Sequence, residues 1–308
     1  MARKNRGNAV HGWLVLDKAL NISSARVVSK AKKILNAAKV GHGGTLDPLA
    51  TGLLPLAFGE ATKTVSYMMA GKKTYNFTVS WGSATDTDDA EGVVIKTSNI
   101  RPSRSLIEAV LPQFTGHIQQ VPPRYSAIKV DGKRAYALAR QEKKVKLKPR
   151  HVFIEEFKLI GINDGDSASF TVTSGKGAYV RGLARDVSVS LGTVGHISEL
   201  RRTHVGPFSE KDAISLDQLE ELGHKGAAVD ILRPVETALD DIPALDLIED
   251  EARRLRCGQT ISALKVAKRK SLIGINPGSV LCAMVDSKVV ALVKFEGGEI
   301  RPVRVLNF

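Results

Sequence analysis

Cysteine is almost missing from this 308-residue chain: Cys257 and Cys282 are the only two. Neither belongs to a Cys-x-x-Cys pair or a Cys/His cluster, so neither a disulfide framework nor a zinc site is expected. Long apolar runs are also lacking. None approaches the roughly 18 residues of a membrane-spanning helix, and the opening Met-Ala-Arg-Lys-Asn-Arg has no apolar segment of the secretory kind. The expectation is a soluble cytoplasmic protein. Acidic residues are in deficit, with 32 Asp plus Glu against 45 Lys plus Arg, a net charge of +13. Such a balance suits a polyanionic partner, either nucleic acid or an anionic membrane surface, and charge alone does not choose between them.

Several cofactor signatures are absent as well. No Gly-x-Gly-x-x-Gly follows a strand and opens a helix. The stretch Ser174-Gly175-Lys176-Gly177 has the look of a phosphate loop, but a Walker motif needs glycine where Phe170 stands and Ser or Thr where Gly177 stands. The oxygen-rich run from Asp86 to Gly92 fails as a calcium loop, since Glu91 and Thr97 occupy the positions that require glycine and glutamate. It reads as an acidic turn. Neither a metal nor an organic cofactor is expected.

The residues present organise into a large unit and a small one. Gly12 to Leu16 reads as a buried strand, and Ser23 or Ser24 can cap a helix with Val27, Val28, Ala31, Ile34 and Leu35 on one face. Leu53 to Phe58 and Lys73 to Trp81 read as further strands, the second with Tyr75, Phe77 and Val79 on one side. Ala168 to Thr173 alternates as a strand, Tyr179 to Leu191 reads as a helix ended by Gly192, and another helix lies near Ser215 to Leu222. Strands and helices mix without a strict repeat, so the fold class is α+β. From Ile242 onward, short runs (Ala252 to Leu255, Ser271 to Ile275, Val280 to Val285, Val289 to Phe295, Ile300 to Val305) alternate with glycine turns, which suggests a β-rich module. The expected boundaries are residues 1–238 and 242–308.

Pro122 to Arg150 changes character. It holds ten basic residues (Arg124, Lys129, Lys133, Arg134, Arg140, Lys143, Lys144, Lys146, Lys148, Arg150) against Asp131 and Glu142, with Tyr125 and Tyr136 interleaved. A solvated surface helix is the usual fate of such a run, yet this bias repels itself unless a polyanion is near. An RNA-facing element is expected.

The most informative stretch is Gly41-His42-Gly43-Gly44-Thr45-Leu46-Asp47-Pro48-Leu49-Ala50-Thr51-Gly52. Glycines admit close approach of backbone to a ligand, and Pro48 biases Asp47 toward an extended conformation. The carboxylate is thus displayed on a stiff loop with no second acid beside it. An isolated Asp-Pro step would read as a turn cap. This run, continued by Leu53-Leu54-Pro55, resembles the motif around the nucleophilic aspartate of the tRNA pseudouridine synthase B family. The similarity spans roughly residues 12 to 210. It includes the pattern carried by Gln120, Pro122, Pro123, Tyr125, Ser126, Ala127, Ile128, Lys129, Val130, Gly132, Ala135 and Tyr136, which is similar to the family's inserted arm.

The resemblance implies a catalytic domain on a mixed, largely antiparallel sheet with the arm inserted at about 122–150, followed by a PUA-like RNA-binding domain. It implies isomerisation of uridine 55 in the T loop of tRNA, without cofactor, on a base flipped out of its stack. Asp47 is the implied nucleophile, Tyr75 the active-site tyrosine, and Arg181 the cation that holds Asp47 through two hydrogen bonds. Taken alone, Tyr75 reads equally as a core tyrosine and Arg181 as a surface helix residue. His42, Lys63, Tyr179, Leu200, Arg202, Lys129 and Arg140 are the implied contacts to RNA and to the pocket. The family's early V-x-D-K-P is broken here by Ala19 after Asp17-Lys18. A retaining glycosidase would need a second carboxylate that the loop does not supply, though folding can bring one. An RNA chaperone that remodels tRNA is a rival from a different functional class, and a guide-dependent enzyme within a ribonucleoprotein is another. The inserted arm and the lack of long lysine-rich tails disfavour the guide-dependent enzyme. A monomer acting on tRNA without a protein partner is expected.

Overall fold

The early apolar runs are buried on both faces, and that sets the architecture. Strand β1 (Gly12–Lys18) pairs antiparallel with a longer strand, Ala50–Phe58, from Gly12 opposite Phe58 to Lys18 opposite Gly52. Between them run α1 (Ser24–Ile34), capped by the Ser23 side chain as expected, and β2 (Val40–His42), which makes Ala50–Phe58 strand β3. Helix α2 (Val65–Ala70), β4 (Lys73–Trp81), and the hairpin of β5 (Ser83–Thr85) and β6 (Val94–Thr97) follow. Next come α3 (Arg104–Val110), β7 (Gly116–Gln120), the short pair β8 (Lys129–Val130) and β9 (Lys133–Arg134), and α4 (Ala135–Ala139). The large unit continues through β10 (Arg150–Ile162), β11 (Ser167–Ser174), α5 (Val180–Ser190), β12 (Gly195–Val205), β13 (Phe208–Ser209) and α6 (Leu216–His224). This computed structural model describes residues 7–126, 128–130, 132–139, 141, 147–268 and 276–308. The sequence readings on Ala127, Asp131, Arg140, Glu142, Lys143, Lys144, Lys146 and Ser271 to Ile275 lie outside them, as do Met1 to Arg6.

The main sheet has nine strands, ordered β1-β3-β12-β4-β11-β10-β7 with β2 on β3 and β13 on β12. It is mixed, because β3 and β12 run parallel with Leu200 opposite Ala50 and Arg202 opposite Gly52, whereas the other neighbours are antiparallel. Alternate residues of a strand face opposite sides. One side of β4 and β11 packs Phe77, Val79, Phe170 and Val172 with Leu183 and Val187 of α5. Leu14, Leu16, Leu54 and Leu56 meet Val27 and Ala31 of α1.

The opposite faces of β1 and β3 send Trp13, Val15, Leu53 and Ala57 into a core shared with Cys282, Leu292 and Leu306. Those last three belong to the second unit, whose sheet is ordered β14-β16-β17-β18-β15. Its strands are β14 (Ala244–Asp246), β15 (Ile261–Ser262), β16 (Val280–Val285), β17 (Lys288–Glu296) and β18 (Glu299–Val305). The run Ala252 to Leu255 is not a strand. It lies in helix α7 (Glu249–Arg256), followed by the short α8 (Ala263–Ala267). Three acids in the first turn of α7 and three arginines in its last turn complement the helix dipole, a signal that outweighs the short apolar run. Burial raises the thiol of Cys282 to about 11, in keeping with a packing role.

The basic insertion leaves the sheet at a defined point. Gln120 and Arg150 face each other across β7 and β10, so residues 121–149 form the connection of one antiparallel pair.

Candidate active site

The Asp47 loop joins β2 to β3 and is fixed from below and behind. Buried Lys18 donates from Nζ to the carbonyls of Ala19 at 2.9 Å, Ile22 at 2.8 Å and Pro48 at 3.1 Å. Ser24 Oγ donates to the Leu46 carbonyl at 2.7 Å and accepts from the Leu46 amide at 2.9 Å. Arg202, only 2% exposed, donates to the carbonyls of Leu53 at 2.8 Å and Gly44 at 3.0 Å. A loop nailed at Gly44, Leu46 and Pro48 presents Asp47 with little freedom, which is the geometry that directed catalysis requires.

Arg181 meets Asp47 from the first turn of α5. Its Nη2 lies 2.8 Å from Asp47 Oδ2, with the arginine side chain 7% exposed and the aspartate 40%. Arg181 thus meets Asp47 as the resemblance implies and is buried, unlike the surface helix residue it reads as when taken alone, but it does so through one nitrogen and not through two hydrogen bonds. Its hydrogen bonds go to backbone carbonyls, from Nη1 to Thr87 at 2.7 Å and from Nη2 to Tyr125 at 2.9 Å. Nη1 also lies 3.3 Å from Asp89 Oδ2. Asp47 is therefore less solitary than its loop suggests, because folding brings a second carboxylate to the same guanidinium. One turn on, Arg185 repeats the arrangement, pairing with Asp88 at 3.0 Å and donating to the Val121 carbonyl at 2.7 Å. The acidic turn is a brace for the two arginines of α5.

A cavity of about 330 Å³ opens over Asp47, lined by Tyr75, Tyr179, Arg181, Leu200 and Arg202, with Lys73 and Lys176 at its edge. Tyr75 reaches it from β4, where it stands opposite Arg202 of β12 and Val172 of β11. Tyr179 precedes α5, its amide and carbonyl both held by the Gln120 side chain at 2.9 and 3.0 Å, and burial pushes its phenol pKa up. Burial also lowers the ammonium groups of Lys18 and Lys73 to about 8. It raises Asp88 and Glu91, the latter also through the charges of Asp89 and Asp47.

Two of the residues expected to contact RNA do not line this cavity. Lys63 pairs with Glu60 at 2.6 Å and donates to the Val305 carbonyl at 2.8 Å, so it ties the catalytic unit to the C-terminal strand. His42 does not line the cavity; its Nδ1 accepts the Gly44 amide at 3.3 Å and shapes the glycine turn. Burial, with help from Arg202, holds its pKa below the ordinary value and suits this acceptor role. Of Lys129 only the backbone is described, and Arg140 is outside the described residues. Sequence reasoning overlooked Lys18, Lys73, Asp88, Asp89 and Arg185. A signal existed for the acids in Thr85-Asp86-Thr87-Asp88-Asp89, which on its own reads only as a turn. Among the described residues, no group of three metal-binding side chains stands together.

Comparison with known proteins decides the family. Residues 32–180 match the N-terminal domain of the TruB family pseudouridylate synthases, and residues 181–240 match the tRNA pseudouridylate synthase B C-terminal domain. The chain belongs to the TruB family. It is 53% identical over 307 residues to tRNA pseudouridine synthase B of Rhodospirillum rubrum, covering 100% of both chains. It is 50% identical over 306 residues to the protein of that name from Gluconacetobacter diazotrophicus, covering 99% of this chain and 100% of the other. Among solved structures, a Cbf5-Nop10-Gar1 complex superposes with a TM-score of 0.75 at 25% identity, over 96% of this chain and 85% of that one. An H/ACA ribonucleoprotein bound to a substrate RNA containing 2'-deoxyuridine has a TM-score of 0.75 at 23% identity, over 100% and 92%, and shares the fold. The α+β class with a PUA-like C-terminal sheet is thus the TruB fold, and a TruB protein is an isomerase. The second family match ends at residue 240, so it falls on α5, β12 and α6, which belong to the large sheet and its helices.

Proposed function

We propose that this chain converts uridine 55 in the T loop of tRNA to pseudouridine, with Asp47 as nucleophile. The observation that carries the reading is the Asp47 carboxylate, held on a nailed loop at the mouth of a cavity of about 330 Å³ and paired with buried Arg181. That volume lies at the small end of ligand sites and suits one extruded nucleoside. Full-length relatives named for action on tRNA support the substrate class. The net charge of +13 agrees with an RNA partner.

The chemistry is an isomerisation, so no co-reactant enters. Asp47 attacks or deprotonates the nucleotide as the bond from uracil N1 to C1' breaks. The detached base turns within the cavity and C5 bonds to C1' as Asp47 gives back the bond or proton it took; the C5 proton leaves and N1 gains one from solvent, so the net change is an isomerisation. Tyr75 lines the same cavity, and in this reading it supports the base and moves that proton. Arg181 opposes the charge of Asp47 in a site partly withdrawn from water, where such pairing is strongest. Retention of the base removes the need for water and for a separate leaving-group acid. The same reading has the protein act as a cytoplasmic monomer without a guide RNA.

Tritium release from tRNA labelled at uridine C5 tests this. The wild type should release label from a tRNA with the T-loop uridine and not from one carrying cytidine there, and Asp47→Asn should be inactive. Equal release by Asp47→Asn would overturn the assignment of the nucleophile.

A further inference from the structure

Besides the carboxylates of Asp47 and Asp89, two backbone carbonyls aim the Arg181 guanidinium. Its two aligned hydrogen bonds go to the carbonyls of Thr87, in the acidic turn, and Tyr125, at the root of the basic insertion. The nitrogen that donates to Tyr125 is the one that faces Asp47. A shift of the Tyr125 backbone therefore displaces Nη2 from the nucleophile directly.

The position of that carbonyl is itself secured. Tyr125 donates from its hydroxyl to Asp86 Oδ2 at 3.1 Å, which links the insertion root to the turn that supplies the other carbonyl. The second oxygen of Asp86 accepts the Val93 amide at 2.9 Å, so the carboxylate is anchored to the β5–β6 hairpin. On the preceding side, buried Pro122 and Pro123 restrict the backbone, and Arg185 holds the Val121 carbonyl. Arg181 and Arg185, four residues apart on one helix face, each bridge the acidic turn to the insertion root. The Tyr125–Asp86 bond joins those two segments to each other and completes the frame around Arg181.

We infer that Tyr125 and Asp86 are positioning residues for the isomerisation, acting by fixing the Tyr125 carbonyl that orients Arg181 toward Asp47. This rests on the proposed role of Asp47. It gives the tyrosine of the insertion root a task apart from contact with RNA: its ring need not touch the substrate for its hydroxyl to matter. A backbone carbonyl is also an acceptor that no side-chain substitution deletes, so the dependence is exposed only by moving it.

The test compares Tyr125→Phe, Asp86→Ala and the double variant in single-turnover tritium release at saturating enzyme, alongside tRNA affinity by filter binding. Asp47→Asn serves as the control. Tyr125→Phe keeps the ring and the backbone and removes the hydroxyl that donates to Asp86. The rate constant should fall by about tenfold or more, with affinity unchanged and the melting temperature lowered by only a few degrees. Asp86→Ala also frees the Val93 amide and should lose at least as much. The double variant should be no slower than Asp86→Ala, because the two residues form one link. Three results would overturn the inference: a wild-type rate in Tyr125→Phe, a loss confined to tRNA affinity, or losses that multiply in the double variant. If Asp47→Asn were active, the failure would lie in the proposed function. An inactive Asp47→Asn beside a fully active Tyr125→Phe would sink only the positioning role.

Discussion

At the scale of single residues, burial of charge is the main cost of this site. Arg181 is 6% exposed and Lys18 is 1% exposed, and such burial is tolerated only with partners. Arg181 has two carboxylates and two carbonyls, whereas Lys18 has three carbonyls and the more distant charge of Asp47. Burial of Lys18 outweighs the charges of Asp47 and Glu91, and its pKa falls from 10.5 to about 8. The sign of the consequence is fixed. Below about pH 8 the folded and unfolded chains both hold the proton, and the desolvation cost is fully present. Between about pH 8 and 10.5 the unfolded chain binds more protons, so the stability from this group rises with pH. Lys18→Met lacks that titration. Urea unfolding across this window should show the stability of the wild type relative to Lys18→Met increasing with pH, and a flat difference would place the Lys18 titration outside it. The two residues also differ in legibility from Asp47, which twelve contiguous residues mark. Lys18 follows Asp17 in a strand and shows its role only when the chain returns through Pro48, and Arg181 shows its own only when α5 docks.

Secondary-structure elements were legible where one face alone decides them. The alternation of Lys73 to Trp81 gave β4, and the Ser23 cap with its apolar stripe gave α1, because each pattern is local. The destination of α5 was not legible. Its 3.6-residue period predicts a buried face, yet nothing local says that Arg181 and Arg185 point into the acidic turn, whose distance in sequence is about ninety residues. Lys63 escapes a local reading for a related reason. The Gly59-Glu60-Ala61-Thr62-Lys63 turn meets the C-terminal strand, a contact that only the docked second sheet creates. One element-level contact has an acute steric condition. Gly52 follows the Asp47 loop in β3 where that strand runs parallel to β12, with φ of +96°, and a Cβ there would lie 2.2 Å from the Arg202 carbonyl. Gly52→Ala thus combines left-handed strain with a clash against backbone. It should destabilise the protein by about 3 kcal/mol or more and reduce tritium release further than stability explains, since Arg202 lines the cavity. Retention of full melting temperature would show that the parallel pairing yields without cost.

At the scale of the whole molecule, the small β sheet is more than an appended module. Trp13, Val15, Leu53, Ala57 and Phe208 of the large sheet share one buried core with Cys282, Val289, Leu292 and Leu306 of the small unit. Lys63 and Glu60 grip the backbone of Val305 and Asn307 at its edge, and Phe308 lies edge-on to His11 at 5.7 Å. A core shared in this way couples the two units into one folding transition. Of the two tryptophans, Trp13 lies in the shared core and Trp81 in the core of the large sheet alone, so a Trp13→Phe background lets the remaining tryptophan report on the large sheet by fluorescence. Leu292 is 0% exposed in the small sheet, and Leu292→Ala should cost about 2–5 kcal/mol. With coupled units, that loss appears in full in the tryptophan transition, which stays single and coincident with the loss of secondary structure by circular dichroism. If the units unfold separately, the tryptophan midpoint stays at its wild-type value while the circular dichroism curve splits. A shift of the tryptophan midpoint would mean that the sheet holding Asp47 draws stability from the module that follows it, and that removal of residues 242–308 weakens catalysis through the fold.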